Sequence, residues 1–419
     1  MSSEPRLVRP TPPTFGSFIR NVRDLPESLS LSGITAGFII CLISYTGPLL
    51  IVLQAASAAN LSPELTSSWI WAVVVGNGIA TIFMSLLYRQ PLTSPYSTAG
   101  AALLITSIMR FPPSEAIGAY IVCALAIIAM GISGMFGRVM NLIPQPIVMA
   151  VLGGVLLRFG LGIFNALDDA ATNPLMILPM VAVFFWLRRV GFRAPTLGAM
   201  GVGIVIAAAL DQLQFSGVVL SASLPVITWP TFSVNAVLSL SLPLFALAIS
   251  SQYAPGQAVL IANHYDAPIN GILTITGAIS VVLAFFGGHG NVLGALTAAI
   301  VVSPDAQPDP DRRYASAVAS GVWHVALGMF GTTVVAVFAA FPTVFVSTIA
   351  GLSLSGIIAS SLGGAMEKPP YRDPAIVAFL CTAGDFTLLG IGAPFWGLVA
   401  GVAVYTLMTF SSQAVVDLE

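Results

Sequence analysis

The sequence predicts an all-α polytopic membrane protein: fourteen transmembrane segments in two inverted seven-span repeats, with spans 3 and 10 each broken into an extended strand plus a half-helix. Three observations predict it. Of 419 residues, 57% are hydrophobic and only 8% charged, whereas a soluble domain carries roughly 25% charged residues, so a surface facing water could not be covered. Apolar runs approaching the ~20 residues needed to cross lipid recur along the chain. Counted as crossings, those runs put nearly every basic residue on one side.

Before the first run, residues 1–28 are polar and carry Arg6, Arg9, Arg20 and Arg23. They lack the short apolar core and small-residue cleavage site of a signal peptide and read as a cytoplasmic segment. Runs then fall at 33–56, 68–88, 97–109, 114–136, 143–165, 174–187 and 195–213. After an uncharged connection, 214–236, a second set falls at 237–260, 270–286, 291–302, 315–340, 343–363, 373–390 and 393–410. The first repeat thus occupies 29–213 and the second 237–411. Started inside, this count leaves Arg89, Arg138, Arg188, Arg189, Arg193, Arg312, Arg313, Lys368 and Arg372 cytoplasmic, with both termini, and only Arg110 outside, as the positive-inside rule requires. Skipping one short run per half would move Arg138, Arg188, Arg189 and Arg193 outside. Cys41, Cys123 and Cys381 all lie in apolar runs and read as small buried hydrophobes, with no disulfide or metal spacing.

An odd number of spans per half inverts the second half relative to the first. APTLG (194–198) and APFWG (393–397) open the last spans, STAGAALLI (97–105) stands against NVLGALTAAI (291–300), and Tyr45 with Pro48 matches Tyr253 with Pro255. In QPLTSPYSTAGAALLITSIM (90–109), Pro91 and Pro95 resist helix, and Ser97 and Thr98 are good N-caps. An extended stretch to mid-bilayer and then a half-helix is the expectation. Gly287, Gly288 and Gly290 loosen span 10 in the same way, and Asn291 is expected to cap the helix after it. Two helix N-termini then face one region from opposite leaflets, each with unpaired N–H groups and about half a positive charge. Such a pair makes an anion site without lysine or arginine. The plainer alternative, glycines that merely permit tight packing, suits Gly294. It does not account for His289 and Asn291.

SYTGPLLIVLQAA (44–56), SWIWA (68–72), STAGAALL (97–104), SSQYAPGQAVL (250–260), FGGHGNVLGALTAAI (286–300) and PDAQPDPDRRY (304–314) resemble the benzoate–proton symporter (BenE) family over nearly the whole chain. In that family the third span usually reads Ser-Thr-Pro-Gly after a tryptophan; here Tyr96 precedes Ser97-Thr98-Ala99-Gly100, so Tyr96 joins the candidates for the ring pocket. The resemblance implies a secondary transporter, not an enzyme, that takes up benzoate or a related aromatic carboxylate with protons. It implies the fold of nucleobase and sulfate transporters. Spans 1–4 and 8–11 (about 33–136 and 237–340) would form a core domain, and spans 5–7 and 12–14 (about 143–213 and 343–410) a gate, one moving on the other around a fixed site. The expected setting is a bacterial inner (plasma) membrane. The expected partners are the carboxylate, protons and the bilayer, without cofactor, metal or nucleic acid, and a homodimer is compatible with it.

The carboxylate contacts are expected at Ser97, Thr98 and Gly100 on one N-terminus and Gly290 and Asn291 on the other, roles compatible with plain helix capping. His289 is the leading proton-coupling candidate, since an unperturbed histidine titrates near physiological pH; His324 is the second, with packing as its plainer role. Tyr45 and Tyr253 would flank the ring or donate to it. Gln252, with Ser250 and Ser251, would face the cavity, while Gln54 reads as an interhelical hydrogen bond. Arg158 and Asp385 read best as a structural ion pair within the gate, and Asp305, Asp309, Asp311, Arg312 and Arg313 as a solvated loop. The rivals are a same-fold carrier for a nucleobase or inorganic anion, a passive anion channel, and an intramembrane enzyme. A nucleobase carrier would be expected to place an acid on span 8, where this chain has Gln252. An enzyme would need a nucleophile with its base or a metal cluster, and three scattered histidines (His264, His289, His324) supply neither.

Overall fold

The computed structural model describes residues 7–416, apart from 47, 139–143, 166, 168–172, 193–194, 216–217, 305, 385 and 390. Arg193, Asp305 and Asp385 lie outside the described residues, and so does the side chain of Arg158. Every apolar run of the sequence contains a helix. After the N-terminal α1 (Phe15–Arg23), the first half holds α2 (Leu31–Thr46), α3 (Pro48–Ala58), α4 (Pro63–Tyr88), α5 (Thr98–Ser107) and α6 (Pro113–Ser133). It continues with α7 (Gln145–Asn165), α8 (Asn173–Arg189) and α9 (Pro195–Ala209). The second half holds α10 (Val234–Ala262), α11 (Ile269–Ala284), α12 (Leu296–Val301), α13 (Tyr314–Gly328) and α14 (Gly331–Ala339). It closes with α15 (Thr343–Met366), α16 (Arg372–Ala383) and α17 (Ala393–Val416). Among the described residues, six helices are long and apolar enough to cross a membrane, or seven if α13 and α14, bent by 65°, count as one span.

Helix neighbours recur between the halves. α4 packs on α13 as α6 packs on α11; α8 on α9 as α16 on α17; α7 on α16 as α8 on α15; and α7 lies along α15. Glycines bring these partners to main-chain contact, as small residues do inside membranes. A Cβ on Gly78 of α4 would stand 2.6 Å from the Gly321 carbonyl of α13, and one on Gly277 of α11 would stand 3.0 Å from the Ala124 carbonyl of α6.

Prolines set the two irregular core helices. Pro48 opens α3. In α10, Pro255 has no N–H and its ring would press on the preceding turn. The helix answers with a π turn over Ile249–Tyr253, the Ala254 amide reaching Ile249 O, and a second π turn covers Val237–Ser241. The Ser250 and Ser251 hydroxyls bond back to Ala246 O and Leu247 O of their own helix, so of that cluster only Gln252 reaches across to another element.

The polar N-terminal segment is strapped to the core. Val8 bridges Tyr265, Asn21 Nδ2 donates to Leu86 O at 2.8 Å, and Arg89 meets Asp24 at 2.6 Å. The loop after span 10 departs from the solvated expectation at one residue. Arg313 is buried, its Nε donating to Gln307 O at 2.8 Å, because the loop's own carbonyls satisfy the guanidinium.

Candidate functional site

Residues 91–96 are not helical, and helix begins at Thr98. Ser97 caps it, its Oγ accepting from the Gly100 amide at 3.0 Å. A Cβ on Gly100 would stand 2.9 Å from both Ser97 Oγ and Leu244 Cδ2, so this glycine allows both the cap and the approach of α10. In the other half, Gly287 (φ +92°) and Gly290 (φ +119°) take backbone conformations that side chains disfavour. The chain then stays extended beyond the expected start. Asn291 does not cap α12, which begins at Leu296 after Ala295 without a side-chain cap. Asn291 Nδ2 instead donates to Ser94 O at 3.0 Å.

The two extended stretches meet. Tyr96 and Asn291 form an antiparallel bridge, flanked by the Ser97 amide on Gly290 O at 3.1 Å, the Val292 amide on Pro95 O at 2.9 Å and the Gly294 amide on Thr93 O at 3.0 Å. Side chains tie the crossing further, with Thr93 Oγ1 and Thr297 Oγ1 at 2.7 Å. Buried main-chain N–H and C=O groups must find partners within the protein, and each extended stretch supplies them to the other. Antiparallel pairing sends α5 and α12 away from the crossing in opposite directions. Among the described residues, the Thr98 and Ala99 amides have no main-chain or side-chain acceptor. They are first-turn N–H groups without an intrahelical acceptor.

Of the expected ring-facing tyrosines, two serve the crossing. Tyr253 O–H lies 2.6 Å from Thr276 Oγ1 and donates to Asn291 O at 3.2 Å; Tyr96 O–H donates to Ser44 O on α2 at 3.1 Å. Among the described residues, Tyr45 Oη is buried without a hydrogen-bond partner. Gln252 Nε2 reaches Thr98 Oγ1 at 3.4 Å, setting one polar side chain beside the open end of α5. Gln54 Oε1 makes no interhelical bond among the described residues.

His289 is buried, and its hydrogen bonds fix its protons. Trp69 Nε1–H, a donor only, points at Nδ1 at 3.1 Å, and Ser97 O, an acceptor only, lies 2.8 Å from Nε2. The ring is therefore the neutral Nε2–H tautomer. A proton on Nδ1 would face the indole N–H. His324 is bonded differently. Its Nδ1–H donates to Ser320 O at 2.8 Å, and Nε2 lies 3.1 Å from Ser44 Oγ. Sequence reasoning did not single out Trp69, Ser44, Ser280 or Tyr120. Ser280 Oγ accepts the Asn291 amide at 2.8 Å. Tyr120 Oη is buried without a partner beside a cavity of about 10 Å³ that Ser97, His289 and Asn291 also line, the room of about one water. Only Trp69 had a readable signal, since an indole N–H inside an apolar helix needs an acceptor.

Solved membrane transporters share this fold. The transmembrane domain of a cyanobacterial bicarbonate transporter, BicA, covers 95% of this chain and is itself wholly covered, with TM-score 0.58 and 15% identity. SLC26A9 covers 97% of the chain at TM-score 0.63 and 11% identity, over 73% of its own length. The murine protein in an inward-facing state gives 0.61 and 12%, over 96% of this chain and 73% of that one. Residues 27–407 match the family model of the benzoate membrane transport protein, BenE, and the chain belongs to that family. The inner membrane protein YdcO of Escherichia coli K12 is 39% identical over 373 residues, 89% of this chain and 95% of that protein. The benzoate membrane transport protein of Acinetobacter baylyi is 35% identical over 387 residues, 92% and 98%. The chain is thus a multi-pass membrane transport protein, not an enzyme.

Proposed function

We propose that this chain is a proton-coupled symporter that takes up benzoate or a closely related aromatic carboxylate by alternating access. The observation that carries the reading is the antiparallel crossing of two broken spans, which leaves the Thr98 and Ala99 amides unpaired at the start of a buried helix. The carboxylate is held between the N-termini of α5 and α12. The Thr98 and Ala99 amides and Gln252 Nε2 serve as donors, and the α12 end adds its dipole from the opposite side. No lysine or arginine occurs in 91–109, 237–262 or 285–302, so main-chain N–H groups do what a cationic side chain does elsewhere. Tyr45, with its unpartnered hydroxyl, faces the ring. Ser97, Gly100, Tyr96, Tyr253, Gly290 and Asn291 hold the crossing in register, and a histidine carries the proton.

Fourteen spans in two inverted repeats, with both termini cytoplasmic, accommodate the recurring helix pairs and the one-sided arginines. α2–α6 and α10–α14 then form the core, and α7–α9 and α15–α17 the gate. The name of the Acinetobacter relative supports benzoate as substrate. In proteoliposomes with an alkaline lumen, radiolabelled benzoate is expected to accumulate, and a protonophore to abolish the accumulation. Concentrative uptake that survives the protonophore would refute proton coupling. Uptake of bicarbonate or a nucleobase but not benzoate would refute the substrate.

A further inference from the structure

We propose that His324, acting through the Ser44 hydroxyl, is the residue that binds and releases the coupled proton, while His289 is a permanently neutral clamp. This rests on the symporter reading above and assigns its proton. With Nδ1–H committed to Ser320 O, the only lone pair on the His324 ring is at Nε2, 3.1 Å from Ser44 Oγ. Ser44 Oγ also lies 3.1 Å from Ile40 O. When His324 is neutral, the Ser44 O–H donates to Nε2. When a proton arrives on Nε2, that N–H donates to Ser44 Oγ and the hydroxyl turns its hydrogen to Ile40 O. Both states are fully hydrogen-bonded and differ by one hydroxyl rotation, with no heavy atom displaced. His289 has no such alternative, because Trp69 offers only a donor to its free nitrogen.

The surroundings give the proton a consequence. Neither α2, α12 nor α13 contains an Asp, Glu, Lys or Arg. The titratable groups on these helices are Cys41 and Tyr45 of α2 and Tyr314 of α13. α4 carries only Glu64 and Tyr88 at its two ends, with Arg89 beyond, and Asp311, Arg312 and Arg313 stand before the first turn of α13, about 17–20 Å of helix from His324. A protonated His324 is therefore a lone cation in an uncharged interior, and a bound carboxylate is the counter-charge that favours it. Reciprocally, the proton favours the anion. The link is short: the Ser44 carbonyl accepts the Tyr96 hydroxyl at 3.1 Å, and Tyr96 is the residue bridged to Asn291.

Solid-state ¹⁵N spectra of histidine-labelled protein in liposomes test this without any substrate, with His264→Gln, His289→Gln and His324→Gln assigning the signals. As pH falls, the His324 nitrogens are expected to convert to the imidazolium pattern while His289 keeps its Nε2–H signature, and added benzoate is expected to raise the pH at which His324 converts. A His324 that stays neutral, or a His289 that titrates first, overturns the proposal. In proteoliposomes, His324→Gln and Ser44→Ala are expected to retain benzoate counterflow and lose accumulation driven by the proton gradient, with Ser44→Thr restoring it. Full gradient-driven accumulation in His324→Gln also overturns it. A wild type that moves no benzoate refutes the substrate reading instead, and the spectra still decide the site of the proton.

Discussion

Replacing Trp69 by Phe isolates what the clamp contributes. In the native chain the indole N–H saturates His289 Nδ1 at 3.1 Å, and Trp69 is only 2% exposed, so no water replaces the lost donor. Leaving a buried acceptor unpaired costs about 1–3 kcal/mol, and the smaller ring adds a packing loss of its own. The two parts separate in a double-mutant cycle. Trp69→Phe is measured in the native background and again with His289→Leu, where there is no acceptor left to orphan. The packing loss appears in both backgrounds and cancels. The expected coupling energy is therefore the hydrogen-bond part alone, about 1–3 kcal/mol, within the range for residues in direct contact. Reversible unfolding in mixed micelles supplies the four free energies. Costs that add to within ~0.5 kcal/mol would mean that the two rings merely touch, and the tautomer assigned to His289 would lose its support.

Two residues of the crossing and its strap, and one pair at the opposite end, give further tests. Gly290→Ala should lower stability by about 1–3 kcal/mol from backbone strain alone, since at φ +119° the added methyl meets nothing nearer than Ser280 Oγ at 3.9 Å; a variant as stable as the native chain in thermal unfolding would show that the segment can relax. Asp24→Asn should loosen the N-terminal strap. The Arg89 hydrogen bond lowers the Asp24 pKa below its ordinary value, so the bridge stabilises above the unfolded pKa, and that stability is lost as pH falls through the folded one. The difference between native and Asp24→Asn melting should accordingly be present at neutral pH and vanish in acid, and a pH-independent difference would refute it. Finally, Ser239→Cys with Gly392→Cys, whose native partners are joined by the Gly392 amide on Ser239 Oγ at 3.2 Å, should on oxidation stop benzoate exchange and on reduction restore it. Exchange unaffected by a formed disulfide would mean that this contact need not open.

Much of the fold was legible because lipid permits few solutions. An apolar run in this composition must be helix, and every run found one, though length alone supports fewer crossings than the arginine pattern requires. The start of the helix at Thr98 was readable to the residue, since Pro91 and Pro95 act locally and Ser97 is a cap. In the other half the helix start was misjudged, by the distance from Asn291 to Leu296. Asn291 has good capping chemistry, but its side chain and main chain are claimed by span 3, a tertiary demand that no local rule contains. Tyr96 and Tyr253 could likewise be placed beside the site from their spans, but not seen to spend their hydroxyls on Ser44 and Asn291. The functional difference between the histidines was invisible for the same reason: it lies in what faces them.

On the reading of two inverted repeats, the helix pairs without a counterpart mark the contacts that transport must change. Most helix pairs of one half have a counterpart in the other, but α5 packs on α7 with no contact of that extent between α12 and α15, and α10 packs on α17 with none between α2 and α9. On the core-and-gate reading, each unmatched contact joins core to gate, and both fall toward the end of the molecule that holds Arg110. There Arg110 donates to Phe386 O at 3.4 Å and Gly392 to Ser239, the gate's β-hairpin, Thr387–Leu388 with Ile391–Gly392, bearing on the core. At the other end, where Arg89, Arg312 and Arg313 gather, α2 and α12 instead line a groove of about 700 Å³, with Thr35, Ile39, Leu296, Ile300 and Ser303 on its walls. A protein built as an inverted repeat can reach its mirror state by exchanging which half makes the unmatched contacts. On that reading the cost of the exchange is chiefly the two unmatched contacts, because the crossing of 93–97 with 290–294 lies wholly within the core and travels with it.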